Sequence, residues 1–184
     1  MTGLAASAVD ANAGADALAI FHEGPSGIYS GCDPMYFCVG FGNRASGADI
    51  DQDGDPDLVV GAAYHNDVHI YKNESGVLNT TAAETLSLAS GSAWMGWDLD
   101  AADVNMDGWP DLMMGSNTAT GHRAFLYLNT QNVSDLFDEV PGAVLSEDSE
   151  FYGIGVAIDD FDGDGLTDVV VGSNVGTGRM YVHY

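Results

Sequence analysis

Three short acidic segments contain the residues of this sequence whose types and spacing suggest chemistry most directly. Each is a run of nine residues that begins and ends with Asp and carries a carboxylate or amide side chain at positions 3 and 5. Alternate positions of a tight turn place their oxygen atoms on one side, and a glycine at position 6 supplies the positive φ that the turn requires. The three runs are residues 49–57, 103–111 and 160–168, which we call loops 1, 2 and 3.

This pattern of oxygen donors predicts about three calcium ions. Calcium takes about six to eight oxygen ligands, including backbone carbonyls, whereas magnesium demands a strict octahedron and keeps several waters. Without a cation, the clustered carboxylates would repel one another strongly. Positions 1, 3, 5 and 9 would donate side chains, and position 7 a carbonyl. The predicted ligands are Asp49, Asp51, Asp53, Asp55 and Asp57 in loop 1, Asp103, Asn105, Asp107, Trp109 and Asp111 in loop 2, and Asp160, Asp162, Asp164, Leu166 and Asp168 in loop 3.

The EF-hand is the obvious competing interpretation, because its calcium loop begins with the same six positions. An EF-hand requires a bidentate Glu at position 12 and a helix on each side. Position 12 is Val60, Met114 or Val171 in the three loops, and each belongs to an apolar run that ends in Gly. The sequence therefore excludes an EF-hand and places the loops among β-strands.

The loops lie within a longer internal repeat. An aromatic residue or Met followed by Gly stands eight and seven residues before the first Asp of each loop, and a Gly closes the apolar run twelve residues after it. The apolar runs LVVG, LMMG and VVVG are typical of buried strands. A tyrosine-containing strand follows each run, at Tyr71, Tyr127 and Tyr181, and the segments between repeats are long enough for one more strand.

About four short strands in roughly 55 residues match the length of a propeller blade. We therefore predict an all-β fold of propeller-type blades, each of four short antiparallel strands, in a single repeat domain over residues 1–184. A β-sandwich with acidic turns would not require the fixed offsets. The parts are a degenerate half repeat at 1–40, repeat 1 at 41–94, repeat 2 at 95–151 and repeat 3 at 152–184, truncated after its third strand. In the degenerate copy, the weak metal candidates are Asp10, Asn12 and Asp16.

The succession of Phe-Gly, acidic loop and Val-Val-Gly resembles the FG-GAP and VCBS repeats, the integrin α-like calcium-binding repeats. The matches begin at Phe41, Met95 and Tyr152, and Met95 and Asn105 are the departures. The resemblance implies blades of a β-propeller like the integrin α-subunit head, with structural calcium between the first two strands of a blade. Such propellers usually have about seven blades, and closure needs about four to eight. Three repeats and a remnant therefore predict exposed edges that other copies could complete, as a ring or a filament.

Composition excludes several classes of partner. The chain has 28 acidic residues but only four Lys and Arg, for a net charge of -24. Nucleic acid and anionic lipid partners are excluded because almost nothing could neutralise phosphates. No run approaches the roughly 20 apolar residues that span a bilayer, so we expect no membrane insertion. The first residues lack a basic and apolar signal peptide, which indicates a mature chain or a fragment.

Cysteines and sequons fit an extracellular setting. Cys32 and Cys38 are close enough in sequence for a disulfide across a short loop, which a secreted protein would form; the alternative is two free thiols in a cytosolic loop. Three Asn-x-Ser/Thr sequons, possible glycosylation sites in an organism that modifies them, are Asn73, Asn79 and Asn132.

No arrangement typical of catalysis stands out. The sequence has no Gly-x-Ser-x-Gly or similar nucleophile motif, and its five histidines lack metal-ligand spacing, so we interpret them as surface residues. Trp94, Trp97 and Trp109 could stack on sugars in a lectin site, although packing between blades is the simpler interpretation.

These observations predict an extracellular or cell-surface calcium-binding β-repeat protein, not an enzyme. Its role would be structural, adhesive or self-assembling into a filament or ring, with other copies or an extracellular protein or glycan as partner. The two alternatives are a lectin-like sugar-binding propeller and the propeller fragment of a secreted enzyme that acts on polysaccharide or lipid.

Overall fold

A computed structural model of the chain describes residues 4–11, 15–22, 41–88, 94–117, 122–147, 151–174 and 177–184, the first two ranges by their backbone only. In these ranges the chain is antiparallel β-structure, with one 3-10 turn at Ala63–His65 as its only helical element. The all-β prediction is therefore confirmed.

The N-terminal part is a hairpin of strands β1 (Leu4–Ala11) and β2 (Ala15–His22). Its register places Asp10 opposite Asp16 at the closed end. The hairpin supplies two strands within the predicted half repeat at 1–40, and residues 23–40 of that segment lie outside the described residues.

The first full repeat is a four-stranded sheet, blade 1, in the order β3-β4-β5-β8. A small hairpin, β6 and β7, lies between β5 and β8. The bounds are β3 Phe41–Ala48, β4 Asp57–Ala62, β5 Asp67–Tyr71, β6 Asn73–Glu74, β7 Val77–Leu78 and β8 Glu84–Ser87. The fourth strand expected between the repeats is therefore present.

The second and third repeats follow the same plan. Blade 2 has the order β9-β10-β11-β12, and blade 3 has three described strands in the order β13-β14-β15. Their bounds are β9 Leu99–Ala102, β10 Asp111–Gly115, β11 Ala124–Tyr127, β12 Ala143–Leu145, β13 Tyr152–Asp159, β14 Asp168–Ser173 and β15 Arg179–His183. Each acidic loop joins the first two strands of its blade, as the resemblance implied.

The blades pack face to face through alternating apolar side chains. Strand β9 contacts both β3 and β13, so the first strands of the three blades lie side by side. In β10, Leu112 and Met114 join the core shared with blade 1, whereas Met113 joins the core shared with blade 3. This alternation follows from the period of two in a strand, which gives both faces of blade 2 an apolar surface to bury.

Paired glycines set the distance between blades. A Cβ on Gly61 would lie 2.3 Å from the carbonyl oxygen of Gly96, and a Cβ on Gly115 would lie 1.9 Å from that of Gly153. Gly96 and Gly153 themselves have φ of +81° and +91°. The Gly that ends one apolar run thus packs on the Gly after the aromatic or Met of the next repeat, so a side chain at either position would separate the blades.

Candidate metal sites

The three acidic loops have the same backbone conformation. Position 6 has positive φ in each, as the sequence predicted: Gly54 (97°), Gly108 (93°) and Gly165 (88°). Position 4 is also left-handed, with Gln52 at 58°, Met106 at 60° and Gly163 at 80°. Sequence reasoning missed this second turn position, and Gly163 was the only residue type that pointed to it.

Carboxylates at positions 1 and 9 hold each loop closed. The position 1 carboxylate accepts the N–H of the position 6 glycine, at 3.0, 2.7 and 2.9 Å in loops 1, 2 and 3. The position 9 carboxylate accepts the N–H of position 2, at 2.9, 3.0 and 2.9 Å. Carboxylates at both ends therefore face the interior of the turn.

The position 9 carboxylates are buried: Asp57, Asp111 and Asp168 are 2%, 0% and 2% exposed. Burial raises the pKa of Asp57 and of Asp111 above the ordinary value, opposed by backbone N–H donors from Asn73 and Asn129 respectively. A buried charged group costs free energy unless it is paired. A cation in the loop would compensate that cost.

Loops 1 and 3 each bring three of their four predicted side-chain ligands together. One carboxylate oxygen from each of Asp49, Asp51 and Asp53 lies within 4.8 Å of the others, and the same holds for Asp160, Asp162 and Asp168. Oxygen atoms this close can share one cation. In loop 1, Lys72 Nζ also lies 2.9 Å from an Asp51 carboxylate oxygen.

Loop 2 has the same backbone but a different set of side chains. Asn105 replaces a carboxylate at position 3, and its amide donates a 2.9 Å hydrogen bond to Asp107. Gln131 donates to the same carboxylate oxygen at 3.0 Å. The backbone donor from Trp109 lowers the pKa of Asp107, and the two amides add to that effect. The carbonyl ligands predicted at position 7 stay a prediction in all three loops.

An unpartnered oxygen tests whether loop 1 fits a metal ion. Asp49 Oδ1 is buried, and no described residue hydrogen-bonds to it. Leaving a buried acceptor unsatisfied costs roughly 1–3 kcal/mol, and more for a charged group. A calcium ion among Asp49, Asp51 and Asp53 would satisfy this oxygen, so the residues present fit the ion.

The remaining predicted sites are the weak metal candidates, the cysteines and the sequons. Asp10 and Asp16 are register partners on β1 and β2 near the closed end of the hairpin, and Asn12 lies outside the described residues. Cys32 and Cys38 also lie outside them. Among the sequons, Asn132 is exposed, whereas Asn73 and Asn79 are partly buried. The amide of Asn73 also donates to the carbonyl of Pro56 at 3.1 Å.

The histidine and tryptophan side chains lie in several different environments. The prediction that the histidines are surface residues is wrong for His69, which is 4% exposed and whose Nδ1 lies 2.9 Å from Thr85 Oγ1. The tryptophans divide between two places. Trp94 stacks between Tyr64 and Trp97 at centroid distances of 5.6 and 5.9 Å, whereas Trp109 is partly buried in loop 2.

Family models match most of the repeat region. The FG-GAP-like repeat matches residues 49–114, and the FG-GAP repeat matches residues 152–183; together they cover more than half of the chain. Both matches contain complete acidic loops. Within the described residues, no helix is both long and apolar enough to cross a bilayer.

Known relatives share these repeats. The chain is 28% identical over 142 residues to integrin alpha-6 of Homo sapiens, covering 72% of this chain and 12% of the relative. It is 29% identical over 154 residues to integrin alpha-7 of Homo sapiens, covering 77% and 13%. It is 38% identical over 90 residues to phosphatidylinositol-glycan-specific phospholipase D of Bos taurus, covering 44% and 11%. The chain thus spans about an eighth of the length of these curated relatives. With its three loops, its blades and these matches, the chain belongs to the FG-GAP repeat family.

Proposed function

We propose that this protein is an extracellular calcium-binding β-repeat module in which calcium is structural and which serves adhesion or assembly. The observation that carries the calcium assignment is the convergence of three carboxylates within 4.8 Å in loops 1 and 3. Calcium accepts the irregular, all-oxygen cage that one flexible loop provides, whereas magnesium rarely does. The integrin relatives support an adhesive role, and the absence of a nucleophile motif supports a non-enzymatic one.

Calcium would act by holding the turn between the first two strands of each blade. A ligand that binds only the folded state adds roughly 4.1 kcal/mol per site at a thousand times its dissociation constant. The test is calorimetry and light scattering, first in millimolar calcium and then in EGTA. We expect calcium to raise the melting temperature strongly, and an unchanged melting temperature would refute the assignment.

A second copy of the chain is our proposed partner, and the outer face of blade 3 is its docking surface. Met180 and Val182 are 74% and 39% exposed on β15. By register they occupy the positions of Val68 and Ile70 in blade 1, which are fully buried against blade 2. The same pattern of apolar side chains is therefore covered by a neighbouring blade in one place and bare in the other.

Charge makes this association depend on calcium. Each copy carries a net charge of -24, so two copies repel one another. Three calcium ions per copy would remove about six of those charges. Light scattering should give a multiple of the 19.2 kDa chain mass in calcium and a smaller mass in EGTA. A single-chain mass under both conditions would exclude self-association.

Sugar binding is the alternative that a specific observation favours. The stack of Tyr64, Trp94 and Trp97 lies at the surface, with Tyr64 42% exposed. Aromatic faces pack well on the apolar faces of sugar rings. Glycan-array binding that Trp97→Ala abolishes would favour the lectin interpretation. The phospholipase D relative leaves a propeller fragment of a secreted enzyme as the third candidate, which turnover on lipid or polysaccharide panels would support.

A further inference from the structure

Loops 1 and 2 are joined by one buried side chain. Asn129 follows β11 and is 6% exposed. Its amide nitrogen donates to the carbonyl of Ile50 in loop 1 at 2.9 Å and to the carbonyl of Pro110 in loop 2 at 3.1 Å. Both donor hydrogens of one amide are thus used on two different loops.

The segment that carries Asn129 is held firmly. We call residues 129–137 the bridge segment. Its ends pair at Asn129 and Phe137. The carboxylate of Glu84 in blade 1 accepts the backbone N–H groups of Leu136 at 2.7 Å and of Phe137 at 3.2 Å. The two ends of the bridge segment are therefore anchored to each other and to blade 1.

The bridge segment also reaches the candidate ligands. Asn129 Oδ1 accepts the N–H of Gln131 at 2.8 Å, and Gln131 donates to Asp107 in loop 2 at 3.0 Å. On the other side, Lys72 Nζ contacts Asp51 of loop 1 and donates to the carbonyl of Val133. One predicted ligand of each loop is therefore tied to the same segment.

Loop 1 and loop 2 also meet directly, because the amide of Gln52 donates to the carbonyl of Gly108. Loop 3 differs. In the part of the chain that the structure describes, the side-chain hydrogen bonds of loop 3 run among residues 159–168. Asn73 occupies the position of Asn129 in blade 1, and within the described residues its amide donates only to the Pro56 carbonyl of its own loop.

We propose that loops 1 and 2 take up calcium as a positively coupled pair through Asn129, whereas loop 3 binds independently. The proposal rests on the proposed calcium binding. Asn129 binds the carbonyls at position 2 of loop 1 and position 8 of loop 2. Neither is a predicted ligand position, so these hydrogen bonds are compatible with calcium in both loops. Loading one loop therefore fixes one end of the Asn129 bridge and lowers the entropic cost of ordering the other loop. Coupling of this kind typically changes affinity about 5- to 150-fold, equally in both directions.

A thermodynamic cycle tests the coupling by calcium calorimetry. Asp164→Ala leaves loops 1 and 2, and adding Asp107→Ala or Asp53→Ala leaves only loop 1 or only loop 2. We expect the pair to bind at least about fivefold more tightly than the two single-loop proteins predict. Additive binding would overturn the proposal, and no binding in any loop would instead refute the proposed function.

A matched pair of variants tests the role of Asn129. In the Asp164→Ala background, Asn129→Ala should remove most of the coupling, whereas Asn73→Ala should leave it in place. Equal loss from both would overturn the assignment to Asn129. If Asn129→Ala does not fold, the test moves to the exposed Gln52, which contacts loop 2 directly. Gln52→Ala should then weaken the coupling, and unchanged coupling would overturn the proposal.

Discussion

Blades 2 and 3 contain similar apolar residues, but their outer faces have different surroundings. Blade 2 buries Met113 and Ala124 against blade 3, with neither side chain exposed. At the positions of Ala124 and Leu126 in the repeat, blade 3 exposes Met180 and Val182. A blade in this family is thus built to be covered on both faces, and its stability depends on its neighbours as much as on its own strands.

The glycines show the same difference. Gly115 in blade 2 leaves no room for a Cβ, which would meet the Gly153 carbonyl oxygen at 1.9 Å. Gly172 stands at the same place in blade 3, and its nearest neighbour would lie 3.6 Å away, an ordinary contact. The same residue is sterically required at a closed junction and replaceable at an open face.

The largest expected effect tests whether blade 3 depends more on its calcium than the packed pair does. Among the described residues, Met180 and Val182 leave the outer face of blade 3 exposed, so Asp164→Ala should make blade 3 melt before blades 1 and 2. Asp53→Ala in loop 1 should instead lower the melting temperature of the main transition, because up to roughly 4 kcal/mol of calcium-linked free energy of unfolding is lost. Differential scanning calorimetry in calcium measures both.

The exposed Asp138 supplies the control for this experiment. Asp138→Ala should leave the calcium-dependent melting temperature unchanged, because its side chain lies outside the loops. One transition shifted equally by Asp53→Ala and Asp164→Ala would show that the three blades melt as one unit.

The second prediction concerns the glycines. Gly115→Ala should destabilise the protein by about 1–3 kcal/mol, because the new methyl group pushes a backbone carbonyl and separates blades 2 and 3. Gly172→Ala should be neutral or slightly stabilising, since it also restricts the unfolded chain. Urea unfolding in saturating calcium compares them, and equal losses would mean that the blade 2 junction can relax around a methyl group.

The third prediction addresses the open face of blade 3. Met180→Lys should weaken self-association in calcium about tenfold or more, because a charge would be buried at the interface. Sedimentation across a range of concentrations measures the shift. Val77→Lys is the matched control, since Val77 is 68% exposed on the small hairpin of blade 1. Equal weakening by both would indicate a general charge effect.

The smallest effect involves Glu84, which joins blade 1 to the bridge segment. Burial raises the pKa of Glu84 above its ordinary value. The folded state therefore binds the proton more tightly, and this contribution to stability is present at low pH and lost as pH rises through the folded pKa. The advantage in melting temperature of the wild type over Glu84→Gln should shrink as pH rises from about 4, near the ordinary pKa of Glu, through the raised pKa of the folded state. Exposed Glu139→Gln should show no such trend.

Much of this protein was predictable because its signals are local. The acidic loops, their glycine at position 6 and the apolar runs that follow depend on neighbours within a dozen residues, so sequence spacing was enough to predict three loops between strands. Left-handed φ at Gln52 and Met106 was missed because neither residue type indicates it. Only alignment with Gly163 in loop 3 offered a sign.

Other features depend on residues far apart in the chain. Burial of His69 and the two-loop contact of Asn129 arise where separate strands or blades meet. In the sequence, Asn129 looks like any polar residue after a strand. Asn73 occupies the equivalent position of repeat 1, yet its amide donates to one loop, whereas that of Asn129 donates to two.

The sequence by itself determined the repeat, the strands and the oxygen-rich turns, because turn chemistry and side-chain alternation act over short distances. Only the tertiary structure decided which faces are covered, which glycines are irreplaceable and which loops touch. Those properties depend on the distance between blades, which is set where Gly61 meets Gly96 and Gly115 meets Gly153. Close packing makes similar local sequences behave differently when their neighbours differ.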